Sequence, residues 1–280
     1  MATSPAPAAP PPVKKGMTTR RKFLIGAGVG GALLVGYAVW PRRYDLNIAT
    51  REGEHIVNGW LKVAADGRVT VQVPQAEMGQ GVYTSLPQIV ADELGADWRM
   101  VGVEAAPLHP TFVNRSFANG VSGAMPGPLQ GVAHWAMTEL VERLNLQLTG
   151  GSTSIMGYTE TLRLAGASAR EAMCKAAARK WGVDWTDCDT KDGFVVHKAN
   201  RIGFGEIAAA AAEEDVSDEP VLRKTPRFIG QSVPRLDTPS KTDGTARFGA
   251  DVRLPGMVYA AIRQGPVARG KVKSVDPKPA

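Results

Sequence analysis

After residue 44, hydrophobic residues recur every second position in some stretches and every three to four positions in others. This pattern predicts strands that alternate with helices. Alternation of period two on both sides of Ala65-Asp66-Gly67 predicts a β-hairpin over residues 60–63 and 68–73. A helix is predicted over residues 82–94, with Gly95 as its stop, because Leu86, Ile89, Val90 and Leu94 share one face. The remaining predicted elements are a strand over 101–104, helices over 129–148, 158–181 and 207–213, and a hairpin of 193–197 with 201–204.

Small residues crowd the helix predicted over residues 158–181. They are Ala165, Ala167, Ala169, Ala172, Ala176, Ala177 and Ala178. Such a surface lets a neighbouring element approach closely, although the high helix propensity of alanine explains part of the enrichment by itself.

Three stretches depart from the regular pattern. Residues 107–128 are rich in glycine and polar side chains, which predicts an irregular loop of the kind that carries function or covers a ligand. Residues 214–245 are charged and rich in proline, which predicts a linker or an extended strap. Residues 248–264 open a strand-rich unit, with strands expected at 248–251 and 258–262. Because the sequence stops at Ala280, we expect these strands to lack partners and the isolated chain to be inactive and poorly stable.

The net charge of +6 belongs to the N-terminal segment. Residues 1–43 contain seven lysines and arginines and no acidic residue, which leaves 26 basic against 27 acidic residues in the remainder. A net charge of −1 in the globular part argues against a nucleic-acid partner. Cys174 and Cys188 are too few for a zinc or iron–sulfur site, while a disulfide between them stays open.

The first 43 residues have the pattern of an export segment. Arg20-Arg21 precedes an uncharged run from Phe23 to Trp40, and Arg42-Arg43 closes it. Paired arginines before a moderately apolar run are typical of a twin-arginine signal, which directs a protein to the periplasm. A plain membrane helix is the alternative, since 18 residues nearly span the ~30 Å core of a bilayer. No small-x-small cleavage site stands clearly before Arg42, so an uncleaved inner-membrane anchor stays open.

A glycine motif inside this run imitates a dinucleotide-binding fingerprint. Residues 26–31, Gly-Ala-Gly-Val-Gly-Gly, match GxGxxG. The fingerprint requires a strand before the glycines and an amphipathic helix after them, whereas three basic residues and a short apolar stretch precede this match and a uniformly apolar stretch follows it. We therefore exclude a nicotinamide site here.

Two glycine-framed polar loops are the candidate binding sites. The first, residues 75–84, joins a strand to a helix. In this loop Gly79 and Gly81 let the backbone approach a bound group, and free N–H groups at the helix start favour an anion. Gln80 adds an amide side chain that can donate and accept hydrogen bonds. The alternative is a connection that needs its glycines for backbone geometry alone.

The second loop is Thr149-Gly150-Gly151-Ser152-Thr153-Ser154, directly before a helix. Two glycines and three hydroxyls after Thr149 suit a phosphate, which backbone amides and hydroxyl donors would hold. The alternative needs no ligand: a glycine pair that ends one helix, followed by a serine that caps the next.

Three stretches of the chain together resemble the xanthine oxidase family of molybdenum hydroxylases. They are residues 74–87, with Met78-Gly79-Gln80-Gly81; residues 150–154, with Gly166-Ala167-Ser168-Ala169-Arg170-Glu171 downstream; and residues 245–257. The likeness is to large subunits of the isoquinoline oxidoreductase and periplasmic aldehyde dehydrogenase type, and it covers nearly all of residues 17–280. The two loop motifs in this order are specific together, although neither is specific alone.

The resemblance implies an α+β fold in which part of a molybdopterin-binding domain precedes the start of an α/β hammerhead domain. The implied division is a twin-arginine signal or membrane anchor helix over residues 1–43, part of the cofactor domain over 44–213, a linker over 214–245 and the start of the hammerhead domain over 246–280.

The resemblance also implies a molybdopterin cytosine dinucleotide cofactor and an exported oxidoreductase that hydroxylates aldehydes or N-heterocycles with water as the oxygen source. The implied cofactor contacts are Gly79, Gln80 and Gly81 for the pterin or its phosphates, and Gly151, Ser152, Thr153 and Ser154 for the dinucleotide phosphate. The implied partners are a 2Fe-2S small subunit, a c-type cytochrome as electron acceptor, the remaining part of the large subunit, and the membrane through the N-terminal helix.

No catalytic residue and no metal ligand is assigned in this chain. The resemblance places the family's glutamate base in a C-terminal portion beyond these motifs, and Glu77, which belongs to the first motif, is no substitute. Four further glutamates are expected to be solvated charges: Glu104, Glu139, Glu142 and Glu171. The histidines are scattered and form no ligand pair. The alternatives are a non-catalytic exported binding or scaffold fragment and a self-sufficient enzyme with another cofactor, and the lack of a triad or metal cluster disfavours the latter.

Overall fold

A computed structural model describes residues 45–123, 126–265, 267 and 269–275 of the chain. These residues form two compact units: Ala106–Leu148 with the described residues up to Ala49, and Thr50–Ala105 with the described residues from Thr149 onward. The signal or anchor helix expected over residues 1–43 lies outside this part of the chain. Among the helices that the structure does describe, none is long and apolar enough to span a membrane.

A four-stranded sheet forms one layer of the second unit. Its strands, in spatial order, are β1 (Glu54–Asn58), β2 (Leu61–Ala64), β3 (Val69–Val73) and β4 (Val101–Ala105). The first three are antiparallel, whereas β4 runs parallel to β3. The predicted hairpin and the predicted strand near residue 101 are therefore confirmed. Parallel pairing requires a crossover connection, and helix α1 (Val82–Leu94) supplies it, with the predicted bounds and with Gly95 as its C-cap.

The two faces of this sheet differ in polarity. Leu61, Val63 and Val71 are fully buried on one face. The opposite face carries Lys62, whose buried Nζ lies 2.7 Å from Glu54 Oε2 and 3.0 Å from Glu104 Oε2. Burial lowers the pKa of Lys62, but hydrogen bonds to the two carboxylates outweigh it, so the pKa is raised overall. Glu104 is therefore an ion-pair partner and not the solvated charge that the sequence predicted.

Helix α4 (Thr153–Trp181) packs closely against α1 and begins five residues before its predicted start at residue 158. A Cβ atom added at Gly166 of α4 would lie 2.7 Å from the Val90 carbonyl oxygen and 2.8 Å from Glu93 Cβ. The seven alanines named above are buried as well. The close contact predicted from the small residues is thus confirmed.

A second sheet and a short helix complete the regular structure of this unit. The sheet is antiparallel, with the order β5 (Asp189–Lys191), β6 (Phe194–His197) and β7 (Asn200–Gly203), and α5 (Phe204–Ala212) follows. The hairpin of β6 and β7 was predicted, whereas β5 was missed. A stretch of three mostly polar residues does not predict a strand by itself. The Thr190 hydroxyl within β5 donates to the Leu94 carbonyl, and this contact exists only in the folded chain.

Residues 221–237, called the strap below, lie along helix α1 without regular secondary structure until α6 (Thr238–Thr242). The Arg223 amide donates to Glu93 Oε2 at 2.8 Å, and the Arg227 amide donates to Asp92 Oδ1 at 2.5 Å. Of the two predictions for residues 214–245, the structure shows the extended strap for this part.

The first unit corrects one prediction. Residues 107–128 are not irregular throughout, because they contain α2 (Arg115–Ser122). Ala118 of α2 packs with Val113 and with Val141 of α3 (Gly127–Arg143), and this small core gives the segment its order. Helix α3 also starts two residues earlier and ends five residues earlier than predicted.

The strands expected at residues 248–251 and 258–262 are not formed. A single 3-10 turn covers Gly249–Asp251, and the other described residues up to 275 have no regular secondary structure. A strand is held by a hydrogen-bonded neighbour, and among the residues that the structure describes none pairs with this segment. The hammerhead domain and the domain boundaries therefore stay predictions.

Candidate functional site

The two glycine-framed loops are neighbours at the starts of helices α1 and α4. The Ala76 amide donates to Thr149 Oγ1 at 2.8 Å, and the Ser154 hydroxyl donates to Oε1 of the buried Gln75 at 2.8 Å. The structure therefore brings the predicted residues 79–81 and 151–154 into one region. Gln75 and Thr149 belong to the two loops, but the sequence did not predict that they join them.

The Glu77 carboxylate already accepts hydrogen bonds from three amides of the first loop. Its Oε1 accepts from the amides of Gly79 at 2.7 Å and Gly81 at 3.0 Å, and its Oε2 accepts from the Tyr83 amide at 3.0 Å. The side chain of Glu77 is only 8% exposed, so a carboxylate of the protein itself supplies an anion at the start of this helix. The expectation of free N–H groups at this helix start therefore fails for Gly81 and Tyr83, because the Glu77 carboxylate upstream reaches them.

These contacts set the protonation of Glu77. Burial raises its pKa, but the hydrogen bonds from Tyr83, Gly81 and Gly79 outweigh burial and the nearby Asp237 charge, so the pKa falls below the ordinary 4.5. Stability from a carboxyl whose pKa is lowered on folding is fully present above the unfolded value and is lost as the pH falls through the folded value.

Replacing Glu77 with glutamine should therefore destabilise the chain by about 1–3 kcal/mol at neutral pH. The difference from the parent should persist down to about pH 5 and shrink as the pH falls through the lowered pKa of Glu77. Urea unfolding between about pH 3 and pH 7 measures this, with the exposed Glu160→Gln as a control that should change little. A Glu77→Gln difference of equal size at every pH would contradict the assignment.

The Gln80 side chain closes the first loop on itself. Its Oε1 accepts from the Met78 amide at 2.5 Å, and its Nε2 donates to the Ala76 carbonyl at 2.7 Å. Gly79 and Gly81 have φ values of 102° and 89°, which side chains rarely adopt, and an added Cβ would meet no atom within 4 Å at either. The loop is thus internally held, and the space beside both glycines is open.

The second loop offers three consecutive free amides. The backbone N–H groups of Gly150, Gly151 and Ser152 have no hydrogen-bond partner within the described part of the chain. They stand at the start of the 29-residue α4, where the helix dipole favours an anion. A Cβ at Gly150 would also meet nothing within 4 Å, so a ligand can reach this backbone.

The hydroxyls of the second loop divide into two groups. Thr153 donates to the Gly150 carbonyl at 2.7 Å and Ser154 donates to Gln75, so both contribute to the loop's own structure. Ser152 has a left-handed φ of 56° and its side chain makes no capping bond. The alternative without a ligand was a glycine pair that ends one helix and a serine that caps the next. It fits poorly, because α3 ends at Arg143, well before the glycine pair, and the Ser152 side chain makes no capping hydrogen bond at the start of α4.

Other chemistry-bearing residues lie outside this region. The residues that the structure describes contain no group of histidine, cysteine and acidic side chains able to hold a metal. Cys174 and Cys188 are free thiols, and burial, with a contribution from Cys188, raises the pKa of Cys174 to about 12. Glu171 was predicted to be solvated but is buried, since it accepts from the Ser217 amide and hydroxyl and pairs with Lys175 at 2.7 Å.

Comparison with known proteins relates this geometry to a family. The family model of the molybdopterin cofactor-binding domain matches residues 20–120, which include the first loop and end before the second. The chain is 32% identical to the beta chain of isoquinoline 1-oxidoreductase of Brevundimonas diminuta, over 92% of this chain and 35% of that protein. It is 29% identical to membrane-bound aldehyde dehydrogenase [pyrroloquinoline-quinone] of Gluconacetobacter polyoxogenes, over 92% of this chain and 31% of that protein.

A third relative is one of the subunits of nicotinate dehydrogenase of Pseudomonas putida, 26% identical over 75% of this chain and 15% of that protein. The chain thus spans about a third or less of the length of these relatives. The resemblance inferred from the loop motifs is confirmed. The chain matches the molybdopterin cofactor-binding domain and is homologous, over part of their length, to an isoquinoline 1-oxidoreductase subunit and an aldehyde dehydrogenase, in agreement with the resemblance to the xanthine oxidase family.

Proposed function

We propose that the chain is the N-terminal part of the molybdenum-cofactor subunit of an exported oxidoreductase that hydroxylates aldehydes or N-heterocycles with water as the oxygen source. The observation that carries the proposal is the pair of adjacent loops, one closed by Glu77 and Gln80 and the other presenting three free amides. The names of the relatives support an oxidoreductase, and the matched domain supports a molybdopterin cofactor.

The residues present fit a pterin dinucleotide. The amides of Gly150, Gly151 and Ser152, with the Ser152 hydroxyl, form a donor set for a phosphate, which has acceptor oxygens and negative charge. The open space beside Gly79 and Gly81 lets the flat pterin approach the first loop. When bound, the molybdenum–pterin group would supply the redox chemistry, while these loops hold and orient it.

The finer parts of the proposal rest on sequence. Two of the three relatives are named as subunits, which supports partner subunits, and we extend this to a 2Fe-2S subunit and a c-type cytochrome as acceptor.

Arg20-Arg21 before an apolar run supports twin-arginine export to the periplasm and anchoring there by the same segment. Cell fractionation checks the location, and a chain found only in the cytoplasm would refute export.

The experiment is cofactor analysis of the complex that a tag on this chain purifies. We expect molybdenum by mass spectrometry and cytosine nucleotide released by acid. Because one relative's name carries pyrroloquinoline-quinone, that quinone is measured in the same sample. A complex with neither molybdenum nor pterin would refute the proposal and favour a non-catalytic binding or scaffold role.

Gly150→Val should lower the cofactor content about tenfold or more, because hydrogen bonds to a charged phosphate contribute ~1.5–3 kcal/mol and a branched side chain would block the amides. The fold should persist, since the added side chain meets open space. The matched control is Gly131→Val, at another open glycine, which belongs to the first unit. Normal cofactor content in Gly150→Val, and in the double variant Ser152→Ala with Thr153→Ala, would leave the second loop as a plain turn.

A further inference from the structure

The strap runs antiparallel to helix α1 along the whole helix. Successive contacts pair Arg223 with Glu93, Phe228 with Asp92, Gln231 with Gln88, and Leu236 with Thr84. The chain therefore starts at the C-terminal end of α1 and arrives at the N-terminal end, where the first loop lies.

Near the end of the strap, Arg235 contacts the first loop. Its Nη1 donates to the Gly79 carbonyl at 3.2 Å, and its Nη2 lies 3.3 Å from Glu77 Oε1. Asp237 holds the same guanidinium, with Oδ1 2.9 Å from Nε and Oδ2 2.8 Å from Nη2. Lys241 pairs with the same Oδ2 of Asp237, so two positive and two negative charges balance within this cluster.

The backbone of Gly79 is consequently fixed from two directions. Glu77 accepts from its amide and Arg235 donates to its carbonyl, while Glu77 itself is paired with Arg235. With a φ of 102°, Gly79 has few steric restraints of its own, so these two side chains determine the orientation of its peptide groups.

We propose that Arg235 is a positioning residue for the first loop, and that the strap thereby prepares this loop for the cofactor. Only the statement about the cofactor rests on the proposed function. The guanidinium is required because its fork reaches a carbonyl and two carboxylates at once, whereas a lysine ammonium presents a single point of charge.

The first measurement is hydrogen exchange of the full chain, purified from cells that cannot make molybdopterin. In Arg235→Ala the amides of Gly79, Gly81 and Tyr83 should exchange about tenfold faster, because loss of charge-assisted hydrogen bonds loosens the loop. Arg235→Lys should restore part of the protection. The matched control is Arg227→Ala, which removes another strap guanidinium, paired with Asp192 and not with the first loop.

The second measurement is the molybdenum and pterin content of the complex carrying the same variants. We expect Arg235→Ala to retain several-fold less cofactor, Arg235→Lys an intermediate amount, and Arg227→Ala the parent amount. Unchanged exchange in Arg235→Ala, or an equal effect of Arg227→Ala, would overturn the positioning role. Faster exchange with normal cofactor content would overturn its link to the cofactor. A parent complex without molybdenum or pterin would refute the proposed function, while the exchange result would still decide the positioning role.

Discussion

Replacing Glu93 with glutamine should lower the free energy of unfolding by about 3–5 kcal/mol, because it removes the buried carboxylate that pairs with Arg163 and Arg170. Glu93 is 0% exposed, and its carboxylate lies 2.6 Å from Arg163 Nη2 and 3.3 Å from Arg170 Nη1. It also accepts from the Arg223 amide at 2.8 Å, so helix α1, helix α4 and the strap meet at this one side chain.

Urea unfolding of the parent and of Glu93→Gln measures the loss. Glu160→Gln, on the exposed side of α4, is the control and should differ from the parent by less than about 0.5 kcal/mol. A Glu93→Gln variant as stable as this control would show that the ion cluster contributes nothing net to the fold.

Gly166→Val should destabilise the chain by about 3 kcal/mol, because the helices α1 and α4 have no room for a side chain where they cross. Even the Cβ atom alone would stand 2.7 Å from the Val90 carbonyl oxygen, and backbone cannot rotate aside as a flexible side chain can. Gly166→Ala should therefore already cost stability, although less than valine.

Thermal or urea unfolding of the two variants provides the test. Gly131 lies within α3 and an added Cβ there meets nothing within 4 Å, so Gly131→Val should be neutral or slightly stabilising. Equal stability of Gly166→Val and the parent would mean that the two helices do not approach as closely as described.

The sequence predicted the elements whose patterns are local. The hairpin of β2 and β3, helix α1 and its stop at Gly95 follow from apolar periodicity and a left-handed glycine. Strand β5 and helix α2 escaped prediction, because a three-residue strand with one buried threonine and a helix that packs on the small core around Val141 depend on distant partners.

The candidate site shows the same limit. Both loops were predicted from glycine and hydroxyl composition, and their adjacency depends on Gln75 reaching Ser154, which are 79 positions apart. The sequence did not predict that the Glu77 carboxylate accepts hydrogen bonds from three amides of the first loop. The motif contained the residue, but whether a nearby carboxylate turns back to a helix start is decided by backbone geometry that composition does not reveal.

The parallel pairing of β3 with β4 has a consequence for the order of folding. Pairing of these strands closes a loop that contains helix α1, and Glu93 of α1 has partners 70 and 130 positions away along the chain. Non-local contacts slow folding, since the entropy of closing long loops is lost before the contacts form. We therefore expect the strap to complete its contacts after α1 and α4 have met, and the orientation of the first loop to become fixed late in folding.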